Sequence, residues 1–393
     1  MSAENNVPAI RFKGFIGEWE ENSVGQLCDS IVPGRNKPQI FNGNIPWITT
    51  PDITSNCVSE SKIGLAITRE EAKRVGAKIV PINSIIISCV GDLGLVAKVD
   101  NELIINQQLH AFIPRENISN WFLLYGLSIR KKYMENIATK TAVPYMNKDN
   151  CNSIPVIFPS FLEQAKIGNY FQHLDTLITQ HQQKHDKLLN LKKALLEKMF
   201  PKQGATVPEI RFKAFSGEWE EKPLGEVTKI TMGQSPNGEN YTDNPEDHIL
   251  VQGNADMKNG FVKPRIWTTQ VTKTADAGDL IFSVRAPVGE IGKTAYNLVI
   301  GRGVAAIKAN EFIFQCLSKM NSNGYWKKLS AGSTFDSINS TDLSTAVIQL
   351  APSDEQTKIG NLFKQLDTLI NQHQRQLKKL NNIKQACLEK MFV

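Results

Sequence analysis

The 393-residue sequence predicts an α+β protein in which two globular domains are each followed by a long helix. Three observations carry that reading. The stretch Val7–Glu21 returns as Val207–Glu221 with 12 of 15 residues identical, and Glu163–Phe200 returns as Glu355–Phe392 with 25 of 38 identical. Between these copied ends lie two long stretches that hardly match, rich in short β-branched runs. A period near 200 residues is far too long for a solenoid, so each repeat is domain-sized.

The boundaries follow as residues 1–160 for the first domain, 161–200 for its helix, 201–352 for the second domain and 353–393 for its helix. The copies are offset by 200 residues at the front and 192 at the tail, so the second variable segment is eight residues shorter. A copied frame with two unlike inserts suggests one scaffold presenting two different recognition surfaces.

In the first domain the strand signals are Lys78–Val80, Ser84–Val90, Leu103–Ile105 and Val156–Phe158; in the second they are His248–Gln252, Asp279–Val284, Val304–Lys308 and Ala346–Leu350. Turn dipeptides such as Gly43-Asn44, Gly91-Asp92, Asn237-Gly238 and Asn259-Gly260 break them. Each domain also carries one expected helix, near Ile118–Ala138 and near Phe312–Leu329.

The copied tails are helical. In the first, Ile167, Phe171, Leu174, Ile178, His181, His185, Leu188, Leu195 and Met199 recur at alternating fours and threes; in the second, Ile359, Phe363, Leu366, Ile370, His373, Leu377, Leu380, Cys387 and Met391 do the same. A 3.5-residue period is a coiled-coil seam. Pro159 and Pro201 bracket the first run, and Pro352-Ser353-Asp354 predicts an N-cap for the second. Each helix would be about 57 Å long. If the two pack antiparallel about a pseudo-twofold axis, His181 and His373 fall near the crossing, and a polar seam pair of this kind fixes register.

Composition narrows the function. Apolar residues make up 41% and charged residues 21%, ordinary for a globular chain. No run of about 18 apolar residues suggests a membrane span, and the first ten residues lack a signal-peptide core, so a cytoplasmic protein is expected. Six cysteines without a C-x-x-C spacing argue against a zinc site or disulfide framework. The net charge is +6, of which +2 falls in residues 161–200 and +3 in residues 353–393; any nucleic-acid contact by the domains must use local basic patches.

Catalytic motifs are missing. Gly292-Lys293-Thr294 lacks the upstream glycine of a phosphate-binding loop, since position 287 is proline. Gly301–Ala306 fits a relaxed dinucleotide fingerprint but has no acidic residue about 20 positions on. There is no H-E-x-x-H and no G-x-S-x-G. His173, His181 and His185 share one helix without further metal ligands near them, so no metal is expected.

Several motifs together resemble the specificity subunits of type I restriction-modification systems. They are E-Q-x-K-I-G-N at Glu163–Asn169 and Glu355–Asn361 followed by F-x-x-L-D-T-L-I, Ile45–Thr49 with Pro51-Asp52-Ile53, Asn106-Gln107-Gln108, Gly233–Pro236, Arg285–Gly289, and the F-x-G-E-W-E-E opening. The resemblance covers essentially the whole chain. It implies that each variable segment is a target recognition domain for one half of a bipartite, asymmetric site in double-stranded DNA. It implies an antiparallel coiled coil that spaces the domains and docks two modification (adenine methyltransferase) subunits, with up to two restriction-translocation subunits joining. It further implies no chemistry and no cofactor in this chain: S-adenosylmethionine would belong to the methyltransferase partner, and ATP and magnesium to the restriction partner. The setting would be host defence in a bacterial or archaeal cytoplasm.

Base reading favours Arg, Lys, Asn, Gln, Ser and Thr on exposed loops. In the first domain these are Arg35, Lys37, Thr50, Lys140, Tyr145 and Lys148, on the loops Gly34–Asn44, Thr49–Asp52 and Lys140–Lys148. In the second they are Gln234, Ser235, Asn240, Tyr241, Gln252, Asn254, Arg285, Ser333, Thr334 and Phe335. Beside these stand structural readings: Pro46 and Trp47 as core, Arg285 as an ion-pair residue, Tyr145 and Phe335 as packing against the helix, and Lys192-Lys193 and Lys378-Lys379 as solvated faces or partner surface. The competing reading of the whole chain is a coiled-coil scaffold that binds only protein.

Overall fold

The structure, a computed structural model, describes residues 6–31, 36–202, 204–330 and 336–393. The chain forms two compact units: residues 1–180 with 377–393, and residues 181–376. Each unit therefore combines one variable segment with part of both long helices, Phe161–Lys198 and Ser353–Met391.

The first unit is built on a five-stranded sheet in the order Cys28–Ile31, Leu109–Pro114, Ile85–Ser88, Val96–Val99, Cys57–Val58. A second sheet runs Ala66–Ile67, Ile45–Ile48, Leu103–Ile105, Ile79–Val80, with Ile45–Ile48 and Leu103–Ile105 parallel. The second unit repeats this plan with six strands around Leu280–Ser283 and five around His248–Val251, where His248–Val251 again runs parallel to Leu298–Ile300. Strands buried on both faces explain the continuous apolar runs: Ile85, Ile86 and Ile87 are each 0% exposed.

The copied opening folds back in both units. Glu20–Ser23 pairs antiparallel with Pro155–Phe158, and Glu220–Pro223 with Val347–Leu350, the strands that lead into the long helices. Behind each pairing lies the same salt bridge. Arg11 meets Glu163 with Nε–Oε1 at 2.6 Å and Nη2–Oε2 at 2.7 Å; Arg211 meets Glu355 at 2.8 and 2.7 Å. Both carboxylates are buried, so the bidentate fork holds a charge that would otherwise be costly to desolvate.

Within each unit the helix segments run antiparallel. In the first, Tyr170 lies 3.6 Å from Cys387 and Asp175 lies 2.5 Å from Lys384. In the second, His181 bonds His373 and Lys192 bonds Asp367 at 2.6 Å. Asp175–Lys384 and Asp367–Lys192 occupy matching positions of the copied tails, since both residues shift by 192. The seam positions Ile167, Phe171, Leu174, Ile359, Phe363, Leu366 and Ile370 are buried; Ile178, His181, Leu188, His373 and Leu380 are half-buried. Phe392 packs on Trp19, Phe122 and Phe171, and Phe200 packs likewise on Trp219, Phe312 and Phe363. Each such ring contributes about 1.5–3 kcal/mol of burial.

Three expectations need correction. Each domain's single helix is two: Asn120–Ser128 then Lys131–Ile137, and Glu311–Ser322 then Tyr325–Ser330. In the second unit Gly324, at φ +72°, turns the chain between them. Ser353 is the first helical residue rather than the cap, and its carbonyl accepts from Thr357 Oγ1. Lys192 is no solvated residue, being half-buried against Asp367, whereas Lys193, Lys378 and Lys379 are exposed. Trp47 is core at 2% exposure.

Candidate nucleic-acid interface

In each unit four loops distant in sequence are fastened into one cluster by three backbone hydrogen bonds. In the first unit Asn106 N donates to Ile48 O at 2.9 Å, Cys89 N to Gln108 O at 2.8 Å, and Met146 N to Cys89 O at 2.8 Å. In the second, Gly301 N donates to Val251 O at 2.7 Å, Val284 N to Gly303 O at 2.9 Å, and Ile338 N to Val284 O at 3.0 Å. The bonds join the end of a buried strand, the tight turn after its parallel neighbour, the turn after the central strand, and the loop before the last short helix. Bridges Val90–Tyr145 and Arg285–Ser337 complete the match. The backbone is copied while the side chains on it are not.

The loop after the strand is shaped the same way in both units. Asp52 accepts from Thr49 N at 2.7 Å and Lys62 N at 2.7 Å; Asp256 accepts from Gln252 N at 2.8 Å and is held by Arg265 at 3.0 Å. These buried carboxylates organise short helical turns, Thr50–Asp52 and Asn254–Asp256, and do not face solvent.

Side-chain chemistry differs between the clusters. In the first, Gln108 Oε1 accepts from Asn106 Nδ2 at 3.1 Å and from Thr50 Oγ1 at 3.4 Å, giving a neutral amide and hydroxyl surface. Beneath it His110 is 3% exposed, and burial, with Lys148 adding to it, lowers its pKa to about 4. In the second, Ser235, Gln252, Arg285 and Arg302 line a recess of about 400 Å³. Tyr241 joins it, its hydroxyl accepting from Gln252 Nε2 at 2.6 Å, and Ser235 Oγ accepts from Arg302 N at 3.1 Å.

The candidates divide accordingly. Thr50 and Tyr145 reach the first cluster, Tyr145 being 43% exposed and so not packed away. Lys140 and Lys148 are exposed on the segment that carries Tyr145, and Lys37 is exposed on a segment whose Gln39 N bonds Glu71 at 3.0 Å. Gln234 is exposed, with its carbonyl taken by Thr272 Oγ1 at 2.5 Å. Asn240 is turned toward Gln270 and Thr269, at 3.1 and 3.5 Å. Asn254 opens the short turn and is half-buried. Arg285 has no ion-pair partner among the described residues. Arg35, Ser333, Thr334 and Phe335 lie outside the described residues.

Arg302, Asn106 and Gln108 also stand in these clusters, beyond the contact residues that the sequence nominates. The signal was present: both turns begin immediately after a short buried strand, at corresponding places in the two domains. Among the described residues no group of three or more His, Cys, Asp or Glu is placed to hold a metal ion, and no helix is long and apolar enough to cross a membrane.

Comparison with known proteins agrees with this duplicated plan. A family model for the type I restriction modification DNA specificity domain matches twice, at residues 16–190 and 216–382. The chain is 27% identical to a Methanocaldococcus jannaschii protein named as the MjaX type I restriction enzyme specificity subunit, over 94% of this chain and 92% of that one. It is 22% identical to the MjaIX specificity subunit of the same organism, over 94% and 90%. Among solved structures, the S subunit of a type I restriction-modification system from M. genitalium superposes with a TM-score of 0.71 at 15% identity, covering 98% of this chain and 99% of that one. Two matches to the family model spanning most of the chain, on a backbone that repeats its own loop cluster, establish that this protein belongs to the type I restriction-modification DNA specificity family.

Proposed function

We propose that each unit reads one half of a bipartite, asymmetric DNA site through its four-loop cluster. The observation that carries this is the pair of clusters itself: the same three backbone bonds in both units, dressed with unlike side chains. A rigid backbone under variable polar groups is what base reading requires, because hydrogen bonds to base edges discriminate only when their donors are fixed. Lys140 and Lys148 lie on either side of Tyr145 in the chain and suit phosphate contacts, which add affinity without sequence preference.

The long helices supply the rest. Half-sites on one face of DNA lie about 34 Å apart per helical turn, and a helix of about 57 Å is long enough to set such a spacing. The matched Asp–Lys pairs and copied faces suit two copies of one partner, here two methyltransferase subunits, with restriction subunits added to that core. In this reading the chain carries no cofactor; the methyltransferase supplies S-adenosylmethionine and flips the target base, and the restriction partner uses ATP and magnesium. The relatives' names as specificity subunits support a role that is recognition rather than catalysis.

The test is a gel shift of the chain with its methyltransferase partner on genomic fragments, followed by methylome sequencing of a host expressing both. A single bipartite methylated motif is expected. Complex formation without sequence-selective DNA binding would instead establish a protein-only scaffold.

A further inference from the structure

The two clusters differ most at one matched position, the turn that follows the parallel strand. In the first unit it carries Asn106-Gln107-Gln108; in the second it carries Gly301-Arg302-Gly303. The second turn is fixed on three sides. Gly301 N bonds Val251 O, Gly303 O receives Val284 N, and Arg302 N bonds Ser235 Oγ. A Cβ at Gly303 would lie 2.1 Å from the Gln252 carbonyl oxygen, so the flanking glycines let the turn press under the neighbouring loop. The backbone of Arg302 is thus immobilised while its side chain is exposed.

Arg302 and Arg285 line the same recess, and neither guanidinium has a hydrogen bond or ion pair among the described residues. Two other arginines of this unit behave differently: Arg211 is held by Glu355 and Arg265 by Asp256. No carboxylate lines the recess. In the adjoining recess that both arginines also line, Asp342 accepts from Asn339 N and pairs with neither arginine, so the two guanidinium groups are left for a ligand that offers acceptors.

We infer that the second unit reads a guanine through this pair, with Arg302 as the specificity-determining residue and Arg285 beside it. This rests on the DNA-reading role proposed above. Guanine presents two acceptors, O6 and N7, on its major-groove edge, and the guanidinium fork satisfies both at once. Adenine places a donor beside its N7, and cytosine offers a donor; both would set donor against donor, with no carboxylate in the recess to receive them. The matched turn of the first unit has no guanidinium, so guanine reading at this place is confined to one half-site.

The experiment is methylome sequencing of the complex with its methyltransferase subunits, in a host without other DNA methylation, for the wild type, Arg302→Ala, Arg285→Ala and Gln108→Ala. Arg302→Ala should relax one guanine position of one half-site, reducing discrimination there by about ten- to a hundred-fold, with the other half-site intact. The intact half-site reports that the variant is folded. Gln108→Ala should alter only the opposite half-site. The inference is overturned if Arg302→Ala and Arg285→Ala keep every motif position and only flatten the salt dependence of binding, since that marks phosphate contacts. It is also overturned if the relaxed position is not guanine. A wild-type complex that methylates no bipartite motif refutes the half-site reading itself.

Discussion

His181 Nδ1 lies 2.9 Å from His373 Nδ1, joining the two long helices inside the second unit through a half-buried imidazole pair. One ring must donate and the other accept, so at least one stays neutral. The His373 pKa is lowered, first by burial and then by the charges of His181, Lys184 and His185.

The buried His110 extends that effect to the first unit, its pKa lowered from 6.5 to about 4. Both folded pKa values lie below the unfolded one, so the unfolded chain takes up protons first. Stability is full above pH 6.5 and declines as the pH falls from there toward 4, by at most about 3 kcal/mol from His110. Melting temperature followed from pH 7.5 to 4.5 should show this slope. His110→Leu and His373→Leu should each flatten it, and a slope unchanged in both variants would refute the assignment.

Arg211→Ala should strip the buried Glu355 of its bidentate partner and cost about 3–5 kcal/mol. Arg211→Met combined with Glu355→Leu should recover most of the loss, because the charge is removed along with its partner. Chemical denaturation of the three proteins measures both effects. A single variant as stable as the wild type would show that the bond carries no weight.

Gly168 and Gly360 are the same residue of the copied motif but should respond differently to alanine. In mid-helix, Gly→Ala ordinarily stabilises by up to about 1 kcal/mol. A Cβ at Gly168 would stand 2.8 Å from Trp121 Cβ and 2.9 Å from Phe122 N, so the helix must move away; at Gly360 the nearest atoms are Glu311 Cβ at 3.0 Å and Phe312 N at 3.2 Å. Gly168→Ala should destabilise by about 1–3 kcal/mol, with Gly360→Ala closer to neutral. Equal melting temperatures for the two variants would contradict the geometry.

A seven-residue insertion in each long helix keeps the seam phase and adds about 10 Å. If the helices space the half-sites, the methylated motif should keep both halves while its spacer grows by about three base pairs. An unaltered spacer in an active complex would end the ruler model.

The helices, the copied seam and the absence of catalytic motifs could be read from residue order, because helix periodicity and duplication are local or repetitive signals. Leu103–Ile105 and Val304–Lys308 were legible for the same reason: each is a short β-branched run. The break at Gly324 was harder to see, since the apolar pattern continues across it and only the backbone turns. Thr50, Gln252 and Arg285 could be nominated as polar loop residues, yet so could Asn240, whose amide is tied to its own loop neighbours.

By itself, then, the sequence determined a duplicated frame of two α+β domains and two seamed helices, and set two unlike segments between the copied ends. Tertiary structure alone decided which loops meet. Cys89, Gln108 and Met146 come together through bonds between loops far apart in the chain, and Val284, Gly303 and Ile338 do the same. Residue type records that a side chain is polar and near a turn. Its companions are set by sheet order and by parallel pairing, and those are long-range contacts that no local pattern encodes.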